Sequence, residues 1–208
     1  MNVVELFARA HGEEVEKYVT WDEPMRMQYP EIGVCGLSCR LCPTYHIEGE
    51  SRCGGCKSEG RMAVGCPFIT CAVKRKGIEF CWDCTESEAC DKWRGHREYG
   101  KKRDTFKCYQ KLEDNIYFIA KNGVAEFEKQ QKIREELLNE MLRGFNEGRS
   151  KRYYSIAATV LEIEELKAAL SEARERSKGL GIREKSKILH SVLDAVAAKK
   201  NYFLKLRK

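Results

Sequence analysis

No apolar run in this chain approaches the ~20 residues that a membrane-spanning helix needs. The N-terminal MNVVELFARAHGEEVEKYV is an acidic–basic amphipathic pattern, not a basic stretch leading into an apolar one. No secretory leader is read there, and the cytoplasm is the expected address. Several chemical constellations are also missing. GGCKSEG lacks the spacing of a phosphate-binding loop, no Ser/His/Asp order is legible, and no glycine fingerprint opens a helix after a strand. Neither an internal repeat nor a low-complexity tract is evident. Histidine is scarce, at four in 208 residues. His46 lies between two cysteine pairs and is the one histidine placed to replace a sulfur. For it, as for His11, His96 and His190, a surface or core position is the simpler reading.

What the chain does have is cysteine. Ten of eleven fall between Cys35 and Cys90: Cys35, Cys39, Cys42, Cys53, Cys56, Cys66, Cys71, Cys81, Cys84 and Cys90. Reducing compartments disfavour disulfides, so thiols packed this densely point to metal. Three pairs are C-x-x-C, a spacing that lets two sulfurs on one knuckle face a single ion. Cys39, Cys42, Cys53 and Cys56 form C-x2-C-x10-C-x2-C, a four-thiolate set for tetrahedral zinc. Cys66, Cys71, Cys81 and Cys84 form a second set, leaving Cys35 and Cys90 over; alternatively the sets interleave. The expected cofactor is zinc, about two ions at four thiolates each, with 4Fe–4S clusters as the alternative. Cys35-x3-Cys39-x2-Cys42 copies the cluster spacing of radical SAM enzymes. The strand–helix alternation of their barrel does not follow, so that activity is rejected. A third reading is thiol chemistry by Cys35, Cys90 or Cys108 where a flanking cation lowers the thiol pKa.

Around the cysteines the pattern predicts a mainly α protein, a helical bundle-like core with an irregular cysteine-rich metal-binding module. Residues 1–30 read as an N-terminal helix (3–19) and connector, 31–92 as the module, and 93–208 as a helical region packed with it as one unit. Asn122-Gly123 predicts a helix stop. Phe127 to Phe145 have helical spacing, Ile156 to Ala173 form a continuous apolar stripe, and Ile188 to Val196 a last helix. NYFLKLRK reads as a basic, extended tail. A net charge of +6 is mild. Residues 92–111 mix Lys and Arg with Trp93, Tyr99, Phe106 and Tyr109, which suits single-stranded nucleic acid. A solvated helix face with its aromatics turned inward is the simpler account. A protein partner is the other candidate.

CGLSCRLCPTY, RCGGCKSEG and CPFITCAVKRKGIEFCWDCTESEAC occur in that order, and over roughly Ile32 to Arg97 this succession resembles the family called domain of unknown function 3795. The resemblance implies metal binding through these cysteines in an anaerobic bacterial or archaeal setting. It implies no activity. The role expected is therefore a metal-binding (structural zinc) protein serving as a protein or nucleic-acid interaction module. The alternative is an iron–sulfur protein with a redox or metalloenzyme-accessory role.

Overall fold

The computed structural model describes residues 27–102 and 111–204. The expected helix at 3–19, most of the connector after it, His11, Cys108 with its neighbours 103–110, and tail residues 205–208 lie outside the described residues. No strand occurs among the described residues, where one antiparallel bridge joins Ile32 to Ser38. The rest is helices, short turns and irregular chain, as the periodicity predicts.

The cysteine-rich part carries small elements: α1 (Glu59–Val64), and α2 (Pro67–Ile69) running into a π-helical stretch, Thr70–Arg75. Then come α3 (Asp91–Lys102), α4 (Leu112–Asn122) and α5 (Val124–Phe145). Gly123 separates the last two as expected. Its φ of 85° lies in the left-handed region, and its N–H donates to the Ile119 carbonyl at 2.7 Å. Helices α6 (Lys151–Val160), α7 (Ile163–Arg176) and α8 (Ile182–Ala198) complete the order.

The stripe from Ile156 to Ala173 is not one helix. Leu161 and Glu162 are extended, and Glu162 opens α7 through a capping box in which its N–H donates to the Glu165 carboxylate at 2.9 Å. Both helices bury their stripe in the same core, so apolar periodicity runs through the turn unbroken; the carboxylate pair three apart marks it.

Helices α5 to α8 share that core, which includes Leu138, Met141, Tyr154, Leu161, Leu166, Leu170, Leu189 and Leu193. Leu41 from the cysteine module and Leu204 from the expected tail are buried in it too. A smaller cluster of Ile32, Phe80, Ile119 and Phe127 bridges the module to α4 and α5. Arg40 adds a polar clamp. It is 14% exposed and reaches Glu135 at 2.7 Å, Glu128 at 3.2 Å and Glu31 at 3.3 Å. At the far end of the bundle Ser150 and Ser186 donate to Glu147 at 2.6 and 2.7 Å, and Ser150 Oγ lies 2.8 Å from His190 Nε2. Burial alone would raise the Glu147 pKa, but the two hydroxyl donors outweigh it and hold the carboxyl at about 2. Ser150 is buried and bound to the carboxylate, so this Ser–His contact ties the 146–150 loop to α8.

Candidate metal centre

The backbone sets up each sulfur. Around Cys39 the chain enters extended at Ser38, makes a 3-10 turn over Cys39–Leu41, and leaves extended at Cys42. Cys42 N–H donates to the Cys39 carbonyl at 3.0 Å, and Tyr45 N–H to the Cys42 carbonyl at 3.0 Å. Around Cys81 the same sequence of conformations recurs: extended Phe80, a 3-10 turn Cys81–Asp83, extended Cys84. Here Cys84 N–H donates to the Cys81 carbonyl at 3.3 Å, and Ser87 N–H to the Cys84 carbonyl at 2.9 Å. The molecule thus contains a structural repeat that the sequence reading does not find. Cys81 N–H donates to the Val34 carbonyl at 2.9 Å and holds the second knuckle beside Cys35.

Two further cysteines stand at helix starts. Cys66 precedes α2, and Cys90 precedes α3, where its sulfur faces Trp93 N–H at 3.5 Å. Cys71 lies in the π-helical stretch, an irregularity frequent at functional sites. No disulfide joins the ten cysteines among the described residues.

Donors are directed at the sulfurs. Cys56 N–H reaches Cys39 Sγ at 3.2 Å, and Lys76 Nζ reaches Cys84 Sγ at 3.2 Å. The Cys39 thiol is held above its ordinary range by its hydrogen bond with the Cys56 side chain and by burial. Burial pushes Cys35 up to about 11, with Cys56 and Cys66 adding repulsion. Cys81 is pushed up to about 12 by burial, then by Cys35, Cys71, Cys90 and Cys84. So Cys35 and Cys90, left over by spacing, are electrostatic neighbours of other cysteines: Cys35 of Cys56, Cys66 and Cys81, and Cys90 of Cys81. No three His, Cys, Asp or Glu side chains among the described residues are gathered tightly enough to form a finished site. The thiols stand as neighbours around a shared region.

One backbone position tests whether that region suits an ion. A Cβ at Gly33 would lie 3.7 Å from Cys35 Sγ, 3.9 Å from Cys56 Sγ and 3.1 Å from the Leu37 carbonyl. The lack of a side chain there leaves open the space between two sulfurs from different parts of the chain. Thiolate donors, N–H groups and lysine ammonium aimed at sulfur, and this opening all fit a thiolate-bound metal.

His46 has its Nε2 engaged at 2.5 Å by the Arg40 carbonyl of the first knuckle. His96 packs against Phe68, centroids 4.6 Å apart, and burial lowers its pKa. In the basic segment Trp93 is 3% exposed, Arg97 pairs with Glu113 and Arg94 with Asp91. Trp93 is therefore not available for base stacking, and the inward-facing account holds for it. Tyr99 remains exposed.

Sequence reasoning missed Lys57. Its ammonium is fully buried, donates to Glu79 at 2.7 Å and the Tyr29 carbonyl at 3.0 Å, and stands 3.9 Å over the Phe80 ring. It also missed a cavity of about 660 Å³, on whose wall Cys39, Cys42, Cys53 and Cys56 lie.

Fold and site together define a cysteine-knuckle module seated on a helical bundle. Residues 31–95 match the family model described as Protein of unknown function (DUF3795), in agreement with the resemblance carried by the cysteine motifs. No curated protein and no solved structure matches the chain.

Proposed function

We propose that the cysteine module is a metal-stapled scaffold, with structural zinc held by thiolates drawn from Cys35, Cys39, Cys42, Cys53, Cys56, Cys66, Cys71, Cys81, Cys84 and Cys90. The observation that carries this reading is the recurrence of one knuckle conformation at Cys39–Cys42 and Cys81–Cys84, the second held beside Cys35 by the Cys81-to-Val34 hydrogen bond. A tight i→i+3 turn offers two sulfurs to one ion, half of the four donors that tetrahedral zinc takes, and the other clustered cysteines supply the rest. When bound, the ion supplies cross-links that loops of this length cannot make by packing alone. The chain's own part is to orient sulfurs through N–H donors, to offset thiolate charge with Lys57 and Lys76, and to seat the module through Arg40 and Leu41.

Such a scaffold serves interaction, and the cytoplasm is the compartment that keeps its thiols reduced. Iron–sulfur clusters use the same donors. Elemental analysis of protein purified without oxygen separates the two. Zinc without a visible absorption band supports the structural reading; iron with matching sulfide replaces it by the redox one.

A further inference from the structure

The cavity beside the first knuckle has an unusual wall. Helix α4 and its preceding residue present Lys111, Asp114, Asn115 and Phe118 to it, at positions i, i+3, i+4 and i+7. Helix α5 presents Phe127, Gln130, Gln131 and Arg134 at the same spacing, and α6 presents Arg152, Ser155, Ile156 and Thr159. Each set is one face of a helix. Three helical faces therefore converge on one space, and all three are mostly polar where a bundle core would place leucine. Tyr154, Ala157 and Ala158 on the other side of α6 enter the core, and Ile156 of the cavity face belongs to that core as well.

Ser38 and Ser155 line this wall with buried hydroxyls that have no hydrogen-bond partner among the described residues. Ser155 is 2% exposed. A buried hydroxyl left unpaired is costly unless something else meets it. Arg152, by contrast, is exposed and forms no ion pair among the described residues, whereas Lys111 is paired with Asp114 at 3.0 Å and Arg134 donates to the Ala158 and Leu161 carbonyls at 2.8 and 2.5 Å. Phe118, Phe127 and Ile156 give the space an apolar side. A volume of about 660 Å³ falls in the range of small-molecule sites.

We propose that this cavity binds a small organic carboxylate with an aromatic or branched apolar body. Arg152 takes the carboxylate, the Ser155 hydroxyl donates to it or to a second oxygen of the ligand, and the two phenylalanines and Ile156 cover the apolar part. Cys39 and Cys42 of the first knuckle line the same cavity. The helical faces define the site, so it does not depend on the metal reading.

The test uses the full chain, with its metal content measured on the same sample, and phenylacetate as probe. Phenethylamine and 2-phenylethanol serve as cationic and neutral controls of the same shape. Ligand-observed NMR titration should show saturable phenylacetate binding at about 1 mM or tighter, a sound value for so small a ligand, with both controls at least tenfold weaker. Arg152→Gln should weaken phenylacetate by about tenfold and Ser155→Ala by about fivefold. The melting temperature of ligand-free Ser155→Ala should be unchanged or raised, because the hydroxyl has no partner to lose. A lowered melting temperature with wild-type affinity would make Ser155 structural and overturn the assignment. So would unsaturable binding, equal binding of the controls, or wild-type affinity in both variants. Saturable binding by a sample without metal would sink the scaffold reading and keep this one; a metal-loaded sample that does not bind would do the reverse.

Discussion

Gly33 shows how much of the site rests on single positions. Gly33→Val would push atoms between Cys35 and Cys56 and against the Leu37 carbonyl. We expect its metal content to fall by half or more while far-ultraviolet circular dichroism of the bundle is unchanged; full metal loading would show that the two sulfurs do not share a site. The Lys57–Glu79 pair makes a different demand. Glu79→Ala leaves a fully buried ammonium without its counter-charge, at an expected cost of about 3–5 kcal/mol in urea unfolding. Replacing both partners together, Lys57→Met with Glu79→Gln, should cost less than the single change, because no buried charge is then left unpaired. Glu147 carries a pH dependence. Its folded pKa lies near 2, below the ordinary 4.5, so its stabilisation is fully present above pH 4.5 and is lost as pH falls toward 2. Acid titration of stability should accordingly be steeper over that window in the wild type than in Glu147→Gln. Parallel curves would remove Glu147 as the cause. Of these residues the cysteines alone were legible in the sequence. Gly33, Lys57 and Ser155 take their roles from partners far along the chain, and nothing local marks them.

Among the elements, the two knuckles are alike in backbone and unlike in sequence. Beyond the paired cysteines, Arg40 and Leu41 in one correspond to Trp82 and Asp83 in the other, so no repeat shows in the letters. Arg40 then fastens the first knuckle to α5. Arg40→Ala leaves Glu31, Glu128 and Glu135 without their shared cation, and the expected loss is about 2 kcal/mol, as a partly buried network gives. Lysine should not restore it, because one ammonium cannot reproduce the planar fork. Hydrogen exchange at residues 39–45 reads the effect directly; unaltered protection there would show that Leu41 seats the knuckle without the clamp. Most helices were legible from apolar spacing because they bury continuous stripes. The turn at Leu161–Glu162 was not, since burial continues through it, and α1 and α2 are too short for a period to register.

At the scale of the whole molecule, the large core is built from α5 to α8, while the module contributes Leu41 to it. Chelation should therefore loosen residues 31–90 and leave the bundle folded. In hydrogen exchange we expect protection to drop across the knuckles and persist in α5, α7 and α8. Collapse of both together would mean that the metal holds the entire fold. Apolar spacing announced a helical chain, and the cysteine count a cysteine-rich segment within it. The polar faces of α4, α5 and α6 that line the cavity were hidden, because a polar helical face normally reads as solvated.

Whether the clustered cysteines hold metal is read by elemental analysis of the full chain purified without oxygen. About two zinc ions per chain are expected, from ten clustered cysteines at four per tetrahedral ion. Paired Cys39→Ser and Cys81→Ser changes should lower that content. Protein free of zinc and iron, with all ten thiols open to alkylation, would contradict metal binding.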